Sequence, residues 1–311
     1  MALDTYGQIW NRVLLRCPEL SPLLAQDFVV NAFRRLAEKR RWSWLVKYGQ
    51  FLAPAVYSTG LATVTYNSTA VTGSGTTWTS AMIGRQFRVG LAAPIYTITA
   101  VGGATSLTLD FAFGGSSAAN VGYSIYQCFY TVPSDFHQFI CLWDPSFNWQ
   151  LYLNVEQKEL NLWDAQRANV SNPYVVSFRD YDSTVSPPLP RYELWPHNQT
   201  QKPYPFLYEI RPADLNDATG VLPRYIRGDV LLEMALEEVA LWPGPSADKR
   251  NPYYSPQTAA YHRAKYEDMV NLLELQDNNV WQQDLQYQYP AMAWAMASPL
   301  GDAAFLQSHA V

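Results

Sequence analysis

Four histidines (His137, His197, His262, His309) and three cysteines (Cys17, Cys128, Cys141) are the chain's readiest ligands and nucleophiles. No His-x-x-x-His pair occurs, and the odd, scattered cysteines fit neither a metal motif nor a disulfide framework. Thr72-Gly73-Ser74-Gly75 lacks the lysine and helix of a phosphate loop, and it lacks the strand-to-helix setting of a serine elbow. The acids Glu233, Glu237-Glu238 and Glu267-Asp268 fall on predicted helix faces, where solvated charges are expected. Glycoside hydrolysis needs two carboxylates facing each other across a cleft; candidate acids exist, but their spacing does not place them across one. The expectation is no catalytic residue, no metal site, no cofactor and no enzyme.

One charge cluster remains. Arg34, Arg35, Lys39, Arg40 and Arg41, against the single acid Glu38, gather on the far side of a predicted helix. They offer a contact for an acidic partner or a DNA backbone; the plainer reading is a solvated face whose last cations complement the helix dipole. A net charge of −5 gives no global signal for nucleic acid. Only 16% of residues are charged, below the roughly 25% usual in soluble domains, while Trp, Tyr and Phe number 11, 21 and 13. That balance suits either interfaces rich in aromatics or a β-rich fold. No stretch approaches 18 apolar residues, so no membrane span is expected. The N-terminus lacks a signal peptide pattern, so a reducing cytoplasm is expected and the sequons at Asn67, Asn169 and Asn198 read as chance.

Amphipathic periodicity predicts helices over 4–16 and from Ser21-Pro22 to about Trp44. Residues 57–130 change to Thr, Ser, Gly, Val and Tyr in alternation with Gly turns, predicting a small antiparallel barrel or sandwich. Further strands follow: 139–143, 151–153, 174–178, 192–195 and 206–210. Helices return over 227–241 and 258–277. The predicted class is α+β: N- and C-terminal helices form a bundle, β-modules are inserted between them, and an extended tail follows. The predicted divisions are 1–53 (helices), 54–131 (inserted β-module), 132–222 (second β section), 223–280 (helices) and 281–311 (tail). The tail is apolar, with Tyr287, Tyr289, Trp294 and Phe305 as candidate anchors in a groove on another chain.

Val-Pro-Ser-Asp-Phe (132–136), Tyr-Glu-Leu-Trp-Pro (192–196), Tyr-Glu-Ile-Arg-Pro-Ala-Asp-Leu (208–215) and Leu-Pro-Arg-Tyr (222–225), followed by an Ala/Leu/Glu-rich helix, resemble tailed-bacteriophage head-to-tail adaptor (connector, tail tubular protein A-like) proteins. Val71 to Arg85, followed by Tyr96-Thr97-Ile98, looks like a β-module common in phage structural proteins. The resemblance covers roughly residues 20–275, and the large β-insertion and the aromatic tail depart from the pattern. It implies a virion protein assembled in the host cytoplasm into a ring of twelve at the head–tail junction. The ring would sit on the portal, receive a nozzle or tube protein, touch passing double-stranded DNA and help retain the genome. The family has no catalytic residues to carry over. Two other readings stand beside it. One is a receptor- or carbohydrate-binding tail protein, with Trp78 and Tyr96 stacking on sugar; the other is a virion-associated hydrolase.

Overall fold

The computed structural model describes residues 4–90, 94–153, 155–198, 200–223, 226–246 and 249–287. In chain order the elements are α1 (Tyr6–Arg16), α2 (Pro22–Glu38), β1 (Val46–Ala53), β2 (Leu61–Val64), β3 (Ala70–Ser74), β4 (Gln86–Val89) and β5 (Tyr96–Gly103). Then come β6 (Ser106–Leu109), β7 (Ala118–Val121), β8 (Tyr123–Tyr126), β9 (Phe129–Thr131), β10 (Phe136–Asp144), β11 (Trp149–Gln150) and α3 (Gln157–Asp164). The last are β12 (Val175–Asp182), β13 (Leu189–Trp195), β14 (Lys202–Ile210), α4 (Gly228–Leu241) and α5 (Pro256–Tyr287). The class is α+β. Contacts divide the described residues into two compact units, one within Met1–Lys47 and Glu209–Trp294, the other within Tyr48–Tyr208.

The first unit holds α1, α2, α4 and α5 around one apolar core. Thr5 caps α1 reciprocally with Gln8, which satisfies two otherwise orphaned N–H groups. Pro22 opens α2, where a missing N–H costs nothing; Ser21 makes no side-chain cap. α2 stops at Glu38, short of the expected Trp44, because the Trp42 indole turns back to donate to the Leu36 carbonyl (2.7 Å). Lys39, Arg40 and Arg41 therefore follow the helix rather than line it. α4 is the hub: Val230, Leu231 and Ala235 are fully buried, and the helix packs on α1, α2 and α5. Val230 and Leu231 each contribute about 1.5–3 kcal/mol, and Leu231→Ala would cost about 2–5 kcal/mol. α5 runs on to Tyr287 instead of ending at Asp277. The first helix breaker beyond Asp277 is Pro290.

The second unit contains three sheets, with antiparallel pairing of β2 with β3, β4 with β8, β10 with β11 and β12 with β13. One module is a seven-stranded half-barrel in the order β7-β2-β3-β6-β5-β4-β8, left open between β7 and β8. Its alternating inward residues, among them Val64, Val71, Phe87, Ile98, Leu107 and Ile125, form a core of their own. Gly60 has φ +82°, and a Cβ there would meet the Ser74 carbonyl at 2.6 Å, so only glycine fits this turn. The remaining sheets have the orders β1-β14-β10-β11 and β12-β13-β9. Aromatic rings join them: Phe51 lies 5.1 Å from Tyr130, and Phe139 lies 4.8 Å from Tyr192. Such pairs contribute about 0.5–1.5 kcal/mol beyond their buried area. β12 and β13 outrun the apolar patches that predicted them, and Leu189-Pro190, expected in a link, begin β13.

Candidate functional site

The five basic residues each meet an acidic or amide partner within the helical unit. Arg34 grips Asp214 with two hydrogen bonds (2.7 and 2.6 Å), which holds that carboxyl below its usual range. Arg35 pairs with Glu237 (3.0 Å) and Glu238 (3.1 Å). Lys39 pairs with Glu274 (3.0 Å), Arg40 donates to Asn278 (2.8 Å) beside Asp277, and Arg41 reaches Glu209 (3.3 Å). Their charges are matched by nearby acids, so the cluster ties α2 and the turn after it to α4, α5 and the end of β14.

The acids of α4 depart from the solvated faces expected of them. Glu233 and Glu237 are buried and Glu238 is partly so, because α4 is surrounded on every side and its acids must point into neighbouring helices. Glu233 takes Lys265 (2.7 Å), the His262 Nδ1 (2.7 Å) and Arg16 (3.1 Å). Burial alone would raise its pKa, but these three partners together hold it below the ordinary carboxylate value. Glu237 binds Arg35 and Arg263 (2.6 Å). Burial pushes Glu238 up despite Arg35. Glu267 and Asp268 are exposed, as expected.

His262 also borders an open pocket of about 320 Å³ with Cys17, Ser255 and Thr258. The Ser255 hydroxyl oxygen already accepts from the Thr258 N–H (3.2 Å), and burial raises the Cys17 thiol. Neither is an activated nucleophile.

A second polar cluster, not anticipated from the sequence, lies in the β unit. Arg167, with φ +51°, holds Glu193 (2.6 Å), Asn161 (2.9 Å) and Gln157 (3.1 Å). This dense set of bonds over-determines a strained backbone. Arg88 on β4 donates to the Arg167 carbonyl (2.8 Å), and the rings of Tyr126 and His197 stack. Asp164 accepts from the backbone of Ala168 (2.8 Å) and Asn169 (2.9 Å) and from the Trp195 indole (3.1 Å). Burial opposes these bonds, yet together with Arg167 they hold Asp164 below its ordinary pKa. His197 is lowered to about 4, first by burial and then by Arg88, with Asp164 opposing. The cluster clamps β4 and β8 to α3 and β13.

Trp78 and Tyr96 are core residues, which corrects their assignment as sugar platforms. The Trp78 indole donates to the Tyr123 hydroxyl (2.9 Å), and the Tyr96 hydroxyl accepts from the Gly114 N–H (2.8 Å). Both rings fill the module interior and offer no face to a ligand. Tyr289, Trp294 and Phe305 lie outside the described residues, and Tyr287 is the last residue of α5. Among the described residues no helix is long and apolar enough to cross a membrane, and no three of His, Cys, Asp or Glu gather as metal ligands. No known protein family matches the chain, and a search of curated proteins finds no significant relative.

Proposed function

We propose that the chain is a structural virion protein: the adaptor ring, of twelve copies, that joins a bacteriophage portal to the tail. In this reading α1, α2, α4 and α5 are a bundle made from both chain ends, and the β unit is inserted between its halves. The observation that carries the reading is the closure of polar chemistry onto the chain itself. The α4 acids and the five basic residues each find partners within the helical unit, so they act as struts rather than as a reaction centre. Apolar side chains remain exposed around that framework, including Leu15 and Leu23 on the N-terminal helices and Tyr261, Leu272 and Leu275 on α5. Scattered exposed leucines are ordinary; repeated on three helices of one unit, they suit surfaces that meet other copies.

The partners are further copies of the chain, the portal above, and a nozzle or tube protein below. Passing duplex DNA touches the channel wall without base reading. The tail anchors the ring, with Tyr287, Tyr289, Trp294 and Phe305 as its contacts. The carbohydrate-binding alternative is weakened, since both its candidate rings are buried. Deletion of 286–311 tests the anchor: portal binding is lost if the assignment holds and persists if it does not.

A further inference from the structure

A pocket of about 250 Å³ lies where α2 begins and α4 ends. Its floor is apolar: Leu20 is buried, and Leu24, Trp242 and Tyr253 pack partly buried on the helical core. Lys249 and Arg250 stand on its rim, with Glu19 the one acid beside them. The cations of the surrounding helices are paired, as Arg16 is with Glu233 and Arg263 with Glu237. Lys249 and Arg250 are exposed and form no ion pair among the described residues.

The loop carrying them is tied down. Asn251 is buried; its side-chain N–H groups donate to the Val239 (2.7 Å) and Trp242 (2.8 Å) carbonyls, and its side-chain oxygen accepts from the Tyr253 N–H (3.0 Å). Gly244 has φ +107°, and a Cβ there would meet the Asn251 nitrogen at 2.7 Å, so only glycine fits. The Tyr253 hydroxyl accepts from the Glu19 N–H (3.2 Å), which fixes the loop to the segment before α2. A surface held this way binds without a large ordering cost.

At about 250 Å³ the pocket is smaller than the roughly 300–1,000 Å³ of small-molecule sites, and it suits one or two protein side chains. Phosphates of a duplex would match the cations but leave the apolar floor uncovered. The fitting occupant is apolar and flanked by acids.

α5 carries that combination. Leu272 and Leu275 are 55% and 60% exposed, while Val270 and Leu273 are buried and hold the helix to the core. Glu267 and Asp268, exposed and without an ion pair among the described residues, precede the leucines by one turn. Asp268, Leu272 and Leu275 share a helix face. The exposed Leu15 lies instead near Arg12 and Arg16, which have the same sign as the rim.

One copy does not reach its own pocket with these residues. Glu274 of α5 pairs with Lys39, and Asn278 accepts from Arg40, both just past the end of α2, whereas the pocket adjoins Ser21 and Leu24 at its start. α2 has 17 residues, about 25 Å of helix.

We infer that Leu272 and Leu275 of one copy seat in the Trp242 pocket of the next, with Glu267 and Asp268 against Lys249 and Arg250. The inference rests on the ring reading and names a contact between its copies. One surface meeting a different surface of the next copy is heterologous, the kind that closes into a ring.

The test reverses these charges in the full-length chain and counts rings on portal-bearing particles by electron microscopy. Lys249→Glu with Arg250→Glu, and separately Glu267→Lys with Asp268→Lys, are each expected to lower ring yield at least about tenfold through like-charge contacts. All four positions are exposed, so the urea midpoint of each variant is expected to match that of the unsubstituted chain. The chain with all four reversed regains the attraction and is expected to recover most of the rings. Unchanged yield in either double variant, or no recovery in the quadruple one, overturns the inference and leaves the ring reading standing. Absence of rings from the unsubstituted chain overturns both. Arg250→Cys with Asp268→Cys adds a direct check: oxidised rings are expected to give a ladder of linked chains on a non-reducing gel, and rings without a ladder overturn the inference.

Discussion

The imidazole of His197 lies against the phenol of Tyr126, with ring centroids 4.1 Å apart and planes 16° from parallel. Both rings are buried, and the charged groups acting on His197 are Arg88, which disfavours protonation, and Asp164, which favours it. Its pKa falls to about 4 from an ordinary 6.5. The unfolded chain therefore takes up the proton first as pH drops. This stabilisation is complete above about pH 6.5 and is lost progressively down to about pH 4, amounting to at most about 3 kcal/mol. Urea unfolding from pH 7 to 4 is expected to show that decline, and His197→Phe, which keeps the stack, is expected to flatten it. An equally steep decline in His197→Phe would refute the assignment. Asp164, held below its ordinary value, contributes its own loss only at lower pH.

Removing one partner from a buried ion pair strands the other. The Arg167 and Glu193 side chains are 7% and 1% exposed. Glu193→Ala is expected to destabilise the β unit by about 3–5 kcal/mol, whereas the double replacement Arg167→Met with Glu193→Leu costs less than the single one. Urea midpoints of the three proteins compare the two outcomes.

The corresponding change in the helical unit is expected to be milder. Glu237 is buried, but its partners Arg35 and Arg263 are 41% and 55% exposed and can regain water. Glu237→Ala should cost about 1–3 kcal/mol, set by lost hydrogen bonds rather than by a stranded charge. A loss as large as that of Glu193→Ala would contradict this distinction.

The basic cluster bears on DNA contact. Arg34 and Arg40 already have partners, so Arg34→Ala and Arg40→Ala should leave the salt dependence of duplex-DNA binding unchanged. Fluorescence anisotropy over a salt series measures it, and a shallower slope in either variant would restore these residues as DNA contacts.

Periodicity made α1, α2, α4 and α5 legible because each has an apolar face, and alternation did the same for the module strands. Tyr96 could have been placed from the same signal, since it shares strand parity with the core residue Ile98. The roles of Glu233 and Glu237 were not legible. An acid on an amphipathic helix looks solvated until the arginines of other helices are placed around it. Arg88 and Arg167 were hidden for the same reason, because they meet only after β4 and the turn following α3 come together. The end of α5 was misjudged by composition: glutamines at 282–288 weaken the apolar pattern without breaking a helix.

Electron microscopy of portal-bearing particles mixed with the purified chain tests the ring most directly. The expected image is a twelve-fold ring seated on the portal, while the chain alone gives monomers or weak oligomers. Particles with bare portals at saturating concentrations of chain would contradict the adaptor reading.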